Sequence, residues 1–254
     1  MTLRPELIQT QWARLIVRTL HHAGVPTVVV SPGSRSAPLA LAIAEAQSDF
    51  DVRIIVDERS AGFYALGVAR ATGLPVALVC TSGTAAAHYL PAVIEAAATY
   101  VPLVVLTADR PAELHYCGAP QTIDQHGLFG RFARAALQLG TPDAAPLALR
   151  GCRRTVAHAV GLAIGPIPGP VQLNIPLRKP LEPAAPHTDE EREFVRFSDN
   201  IANATPIVSH ATVQATVPSH VTELIGAAQR GIIAVGNVPA YDRDLAAAVD
   251  ELAR

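Results

Sequence analysis

Half of the 254 residues are hydrophobic, 17% are charged and only 5% are aromatic, which is ample material for a substantial core. The formal net charge of −2, with no polybasic run, excludes a broad electrostatic pull toward nucleic acid or an anionic membrane, and no apolar stretch reaches the ~20 residues of a membrane span. Three scattered cysteines, Cys80, Cys117 and Cys152, form no Cys-x-x-Cys pair, arguing against a disulfide framework or structural zinc and for a reducing, cytoplasmic setting.

In chain order, residues 6–23 repeat apolar side chains (Leu7, Ile8, Trp12, Leu15, Ile16, Leu20) at helical spacing, and Gly24 supplies the stop. A β-branched strand follows at 27–30, then the turn Ser31-Pro32-Gly33-Ser34-Arg35-Ser36 and an Ala/Leu-rich helix over 38–46. Three further strand-turn units succeed it: strand 52–56 into helix 58–72, strand 76–80 into helix 84–99, and strand 103–107 into Ala108-Asp109-Arg110-Pro111. These strands are apolar throughout, as expected of a parallel sheet covered on both faces. A loop to Gln125, a strand at 133–139, a helix over 143–164 and a strand at 171–175 complete about six strands by Pro176. The fold class read from this alternation is a three-layer parallel α/β domain with a crevice at the carboxyl ends of the strands, lined by the four turns.

Residues 180–186 are proline-rich and 188–193 acidic, the composition of an exposed linker. Beyond it, a helix at 219–229, a buried strand at 231–237 and a helix at 242–253 are expected. One strand between two helices leaves its edges open, so this part reads as the opening of a second α/β domain whose remainder is missing or supplied by another chain.

The turns carry the chemistry. Glu58 stands where a strand meets a helix, a place where a carboxylate can be held partly dry and aimed at one ligand atom; its structural alternative is a helix-dipole contact with Arg59 or Arg53 as ion-pair partner. Arg35, flanked by Ser34 and Ser36 at a helix start, combines a guanidinium with free backbone amides, a combination that holds carboxylates; the serines alternatively cap the helix. Arg110 either joins that anion site or pairs with Asp109 or Glu113. Thr81-Ser82-Gly83-Thr84 is a polar turn able to approach a ligand through glycine, or a plain turn with Thr84 as cap. His88, His115 and His126 form no metal-ligand spacing and read as structural or solvated. Neither Gly-x-Gly-x-x-Gly nor a phosphate-binding Gly-x-x-x-x-Gly-Lys-Ser/Thr loop is present, against a nucleotide-binding oxidoreductase or a phosphate-loop enzyme.

Taken in order, Ser31-Pro32-Gly33-Ser34-Arg35-Ser36, Asp57-Glu58-Arg59, Thr81-Ser82-Gly83-Thr84-Ala85, Thr107-Ala108-Asp109-Arg110-Pro111 and Cys117-Gly118-Ala119-Pro120-Gln121 resemble the N-terminal part of the 2-succinyl-5-enolpyruvyl-6-hydroxy-3-cyclohexene-1-carboxylate synthase family, thiamine-diphosphate enzymes of menaquinone biosynthesis. The resemblance covers residues ~10 to ~180 and implies a pyrimidine-binding domain at 1–180, a linker at 181–195 and an incomplete middle α/β domain at 196–254. It implies a transferase that decarboxylates 2-oxoglutarate and adds the product to isochorismate. Glu58 would be the catalytic carboxylate facing the cofactor pyrimidine, with Ser82, Gly83 and Thr84 on the same side; Ser34, Arg35, Arg110 and Gln121 would bind isochorismate.

Two departures matter. The family's Gly-Asp-Gly and later Asn, which hold the diphosphate and Mg²⁺, have no counterpart because Gly-Asp-Gly is absent, so metal ligands are expected outside this chain, in a homo-oligomer or an associated diphosphate-binding domain, and the chain alone is expected to be inactive. Pro120 stands where a polar side chain, commonly Asn, is expected before Gln121. The alternatives are another thiamine-diphosphate enzyme similar to acetolactate synthase, which would keep the glutamate but lack the Ser-Arg-Ser and Asp-Arg-Pro turns, and a non-catalytic binding or assembly fragment.

Overall fold

The computed structural model describes residues 3–204, 216–236 and 244–253. Within them, α1 (Pro5–His22), β1 (Thr27–Val30), α2 (Ala37–Glu45), β2 (Asp51–Ile54), α3 (Glu58–Thr72), β3 (Val76–Cys80), α4 (Leu90–Ala98) and β4 (Leu103–Asp109) alternate as expected, followed by β5 (Ala135–Gln138), α5 (Pro146–Ile164), β6 (Pro170–Pro176) and α6 (Asp189–Asn203). The six strands form one wholly parallel sheet in the order β2-β1-β3-β4-β6-β5. Proline in the first turn of α1, α2, α4 and α5 costs no hydrogen bond there and pre-sets the helical φ. Gly73 ends α3 at φ +71°, a left-handed position that glycine takes without strain.

Strand side chains alternate between two cores. Val28 and Val30, Ala77 and Val79, and Val104 and Leu106 face α1, α2 and α5, whereas Val29, Leu78 and Cys80, and Leu103 and Val105 face α3 and α4. This is the three-layer parallel α/β architecture read from the sequence, and it explains why the central strands are apolar in unbroken runs.

Four local expectations are corrected. Strand β2 is not buried: it is the sheet edge, and Ile54 and Val56 are 72% and 77% exposed. The helix expected over 84–99 begins as a 3₁₀ segment, Gly83–Tyr89, before α4. Residues 188–193 are exposed apart from Glu191, but they are not irregular: they open α6. A capping box, with Thr188 Oγ1 accepting from the Glu191 amide and Glu191 accepting from the Thr188 amide, starts the helix, and Phe194, Ile201 and Ala202 bury against the α1–α5 face. Finally, Gly231–Gly236 is irregular, with Ile232 96% exposed: no neighbouring strand among the described residues offers a ladder to pair with. Asn237 lies outside the described residues. Helices α7 (Ser219–Ala227) and α8 (Leu245–Leu252) fall where helices were expected. Among the described residues no helix is long and apolar enough to cross a membrane.

Candidate active site

Because all strands run the same way, their carboxyl ends deliver the four turns to one edge, and hydrogen bonds then join the turns to each other. The Ser31 amide donates to the Val79 carbonyl (2.8 Å) and its hydroxyl to the Ile55 carbonyl (2.9 Å). The Arg35 amide donates to Thr81 Oγ1 (3.2 Å). Gly33 sits so close to Thr81 that an added Cβ would lie 2.4 Å from the threonine Cβ, so only glycine lets these two turns meet. Buried Tyr89 donates its phenol to Ser31 Oγ (3.1 Å) and the Val79 carbonyl (3.2 Å).

An open cleft of about 570 Å³ results, lined by Ser34, Arg35, Ser82, Arg110 and Gln121, with Thr81, Glu113, Arg178 and Lys179 also on its wall. The structure thus brings together all four residues expected to bind substrate. Arg35 is 5% exposed; one end of its guanidinium donates to the Leu177 carbonyl (2.6 Å), and its Nε is buried with no partner. Burial, and then the like charge of Arg110, lowers its pKa, while Asp109 opposes that shift. Arg110 forms neither expected ion pair: its guanidinium donates to Ser82 Oγ and to the Gln121 carbonyl, while Glu113 pairs with Arg178. Two guanidiniums of like charge beside one cleft, Arg35 buried and Arg110 nearer the surface, are an arrangement that can hold an anion.

Several side chains brace this corner. Gln121, at φ +57°, donates its amide to the Ser82 carbonyl (2.9 Å). It therefore latches its loop to the β3 turn, and its backbone carbonyl holds Arg110. Gly83, at φ +85°, lies under Gln121, where a Cβ would meet Cγ at 2.7 Å. Ser34 is exposed on the rim, Thr84 is exposed, and Ser36 is buried with its hydroxyl on the Gly33 carbonyl; neither serine caps α2. His115 contacts the Arg110 carbonyl (3.0 Å), and His88 and His126 are exposed.

Beneath the cleft runs a buried polar network that the sequence reading missed. Gln125 accepts from the Gly83 amide (2.6 Å) and donates to the Ala108 carbonyl (3.1 Å). Asn174 accepts from Thr107 Oγ1 (2.7 Å) and donates to Asp109 Oδ2 (2.8 Å), and the other Asp109 oxygen accepts the Arg110 amide (2.7 Å). Gln172 donates to the Gln125 carbonyl (2.7 Å). The available signal was Val171-Gln172-Leu173-Asn174-Ile175, where two amides interrupt a buried strand: buried polar groups need partners, so such residues announce a network. Arg178 and Lys179, just past β6, bring the turn after that strand to the cleft beside those of β1, β3 and β4.

Glu58 does not line the cleft. It is the first residue of α3, preceded by Asp57, whose side chain caps the helix by accepting from the Ser60 amide (3.0 Å). Both expected ion-pair partners are engaged elsewhere: Arg59 pairs with Asp57 (2.8 Å), which holds the Asp57 carboxyl well below the usual range, and Arg53 pairs with Asp51 (2.9 Å). The half-buried Glu58 carboxylate therefore has no hydrogen-bond or ion-pair partner among the described residues. Its charge adds to the rise that burial causes in the Cys80 thiol and the Tyr89 phenol.

Residues 10–128 match the family model described as the thiamine pyrophosphate enzyme, N-terminal TPP binding domain. Curated proteins named 2-succinyl-5-enolpyruvyl-6-hydroxy-3-cyclohexene-1-carboxylate synthase match beyond that segment. The one from Sorangium cellulosum (strain So ce56) is 44% identical over 242 residues, covering 93% of this chain and 38% of the relative. Those from Geobacillus kaustophilus (strain HTA426) and Chloroflexus aurantiacus are 47% identical over 247 residues (96% and 41%) and 54% identical over 190 residues (75% and 31%). The chain belongs to this synthase family. It spans between 31% and 41% of the length of these relatives. Glu58, the cleft arginines Arg35 and Arg110, and Gln125 fall within the segment shared with thiamine-pyrophosphate enzymes at large; Asn174 and Arg178 lie beyond it.

Proposed function

We propose that this chain supplies the pyrimidine-side half of a thiamine-diphosphate active site that decarboxylates 2-oxoglutarate and transfers the succinyl-semialdehyde unit to isochorismate in menaquinone biosynthesis. The observation that carries the reading is the meeting of Arg35 and Arg110 in one cleft, with the Arg35 Nε buried and unpaired, because both substrates present carboxylates that such a pair grips in a fixed orientation. Bound thiamine diphosphate supplies the electron sink needed to break a carbon–carbon bond beside a ketone.

The remaining work falls to side chains of this chain. Glu58 shares a proton between its carboxyl oxygen and a ring nitrogen of the heterocycle, a role supported by a half-buried carboxylate free of the partners that would otherwise neutralise it. The Ser82-Gly83-Thr84 turn forms the wall beside the pyrimidine, and Ser82 also aims Arg110. Ser34 adds a hydroxyl at the rim, and Gln121 keeps the loop shut over Ser82. These residues fit the heterocycle and substrate end of the site. They do not fit the other end: Gly-Asp-Gly is absent from the chain, and among the described residues no cluster of three or more His, Cys, Asp or Glu gathers to hold a metal. In this reading Mg²⁺ and the diphosphate belong to another domain, reached through a homo-oligomer or a separate chain. Association is supported by the apolar side chains that the β2–α3 edge leaves exposed around Glu58, Ile54, Val56 and Phe63. Residues 1–180 then form the pyrimidine-binding domain and 196–254 open the middle domain, with α6 packed back on the first.

The test is a calorimetric titration of thiamine diphosphate and Mg²⁺ into the protein, alone and with a chain carrying Gly-Asp-Gly, followed by isochorismate-dependent consumption of 2-oxoglutarate. No turnover is expected alone and turnover is expected with the partner. Arg35→Ala and Arg110→Ala should raise the KM for isochorismate more than that for 2-oxoglutarate; equal effects sink the assignment, and turnover of pyruvate in place of 2-oxoglutarate favours an acetolactate-synthase-like activity.

A further inference from the structure

We propose that the groove between α5 and α6 is a second binding site, for an organic anion bearing one or two carboxylates on an apolar body. The groove encloses about 510 Å³ and is lined by Arg150, Arg153 and Arg154 from α5 and by Phe197, Asn200 and Ile201 from α6. It shares no lining residue with the cleft that holds Arg35 and Arg110.

Arg150 lies one helical turn from both Arg153 and Arg154, so the three repel each other and remain charged at any physiological pH, and a cluster of them is ordinarily offset by carboxylates. Among the described residues no acid pairs with Arg150, Arg153 or Arg154: the α6 acids Asp189, Glu191 and Asp199 are taken by Arg192, Arg4 and Arg18, and the exposed Glu190 and Glu193 form no ion pair with the three arginines. Arg153 is held in place by a hydrogen bond to the Ala204 carbonyl, while its Nε is buried without a partner. That is the same condition as Arg35 in the cleft, a fixed guanidinium with one idle, desolvated donor. Burial lowers the Arg153 pKa, and an anion set against it would offset that cost.

Size and lining narrow the class. Phe197, Ile201 and Ala157 give the groove an apolar wall opposite the cations, which an inorganic anion would leave wet and a carboxylate on a hydrocarbon or aromatic ring would cover. Guanidinium planes also stack on aromatic rings. Asn200 adds a neutral hydrogen-bonding group, able to discriminate a second oxygen.

The experiment adds phthalate, an aromatic dicarboxylate, to the protein and follows the amide resonances of Gly151 and Asn200; inorganic phosphate tests charge alone and benzyl alcohol the apolar body alone. Arg150 and Arg154 are exposed, so Arg150→Gln/Arg154→Gln leaves the fold intact, and Arg110→Gln reports on the other cleft. Saturable shifts with phthalate are expected, weakened by roughly tenfold or more in the double variant and unchanged in Arg110→Gln, with phosphate weaker and benzyl alcohol silent. No saturable shift, or equal affinity in the double variant, overturns the site. Equal affinity for phosphate and phthalate overturns the apolar half of the proposal.

Discussion

Two regions near the carboxyl ends of the strands are built on opposite principles. Around the arginines most groups are tied down: Arg110 by Ser82 and Gln121, one end of Arg35 by Leu177, Gly83 by Gln125, and the turn beneath them by Asn174 and Asp109. Off the cleft, at the start of α3, the Glu58 carboxylate has no partner among the described residues, beside an edge strand with exposed Ile54. The difference teaches how a site can be divided. Under the proposed function, a corner that binds substrate gains from being rigid before the ligand arrives, since misplacing a guanidinium by an ångström forfeits much of its benefit, whereas a carboxylate proposed to meet a cofactor held elsewhere stays unsatisfied until that surface closes over it.

This contrast is sharpened most strongly by Glu58→Gln. With a diphosphate-binding partner present, activity should fall by about 10²–10⁴-fold, while unfolding free energy changes by less than about 0.5 kcal/mol; a large stability change would make Glu58 a structural residue. The opposite pattern is expected in the braced region. Asn174→Leu strands the Thr107, Asp109 and Gln138 partners and should cost about 2–4 kcal/mol in chemical denaturation. Gly83→Ala, at a left-handed position and against Gln121, should cost about 1–3 kcal/mol and raise the KM for isochorismate as the latch shifts. The smallest effect belongs to a contact outside both regions. Arg4 and the amides of His187 and Thr188 pull the Glu191 carboxyl from 4.5 down to about 2. A depressed carboxyl stabilises the fold fully above its ordinary value and loses that contribution as pH falls from about 4.5 through about 2. The thermal melting curve of Glu191→Gln should therefore lose this part of its acid dependence and leave the neutral-to-alkaline limb parallel to that of the parent.

The sheet was legible because its central strands are buried on both faces, which forces unbroken apolar runs separated by helices at short, regular intervals. Edge strand β2 was misjudged for a related reason: Val52, Ile54, Ile55 and Val56 are as apolar as a core strand, and nothing local tells an edge that meets another surface from one that meets a helix. Helix α6 was hidden by charge. Its Asp, Glu and Arg residues suggested a solvated linker, although the Thr188-to-Glu191 spacing of a capping box was present. At the site, the strand-turn pattern placed the turns of Arg35, Ser82 and Arg110 at one edge, because parallel strands bring consecutive turns together, whereas the grouping of Ser34, Arg35, Arg110 and Gln121 came from the family resemblance. What stayed out of reach was the partnering: that Arg110 leans on Ser82 rather than Asp109, that Gln121 serves as a latch, and that Gln125, Gln172 and Asn174 form the floor, since these contacts join segments distant in the chain, from Arg110 and Ser82, 28 apart, to Asn174 and Asp109, 65 apart.

The packing of α1 has a consequence for biosynthesis. This helix precedes α5 and α6 in the chain, yet Leu7, Trp12, Leu15, Ile16 and Leu20 are covered in large part by them, and Arg4, just before it, reaches its partner Glu191 only across 187 positions. At about 5–20 residues added per second, a ribosome holds that apolar surface in the open for roughly ten seconds or longer. The nascent chain thus has a built-in interval of stickiness, ended by the arrival of its own distant helix.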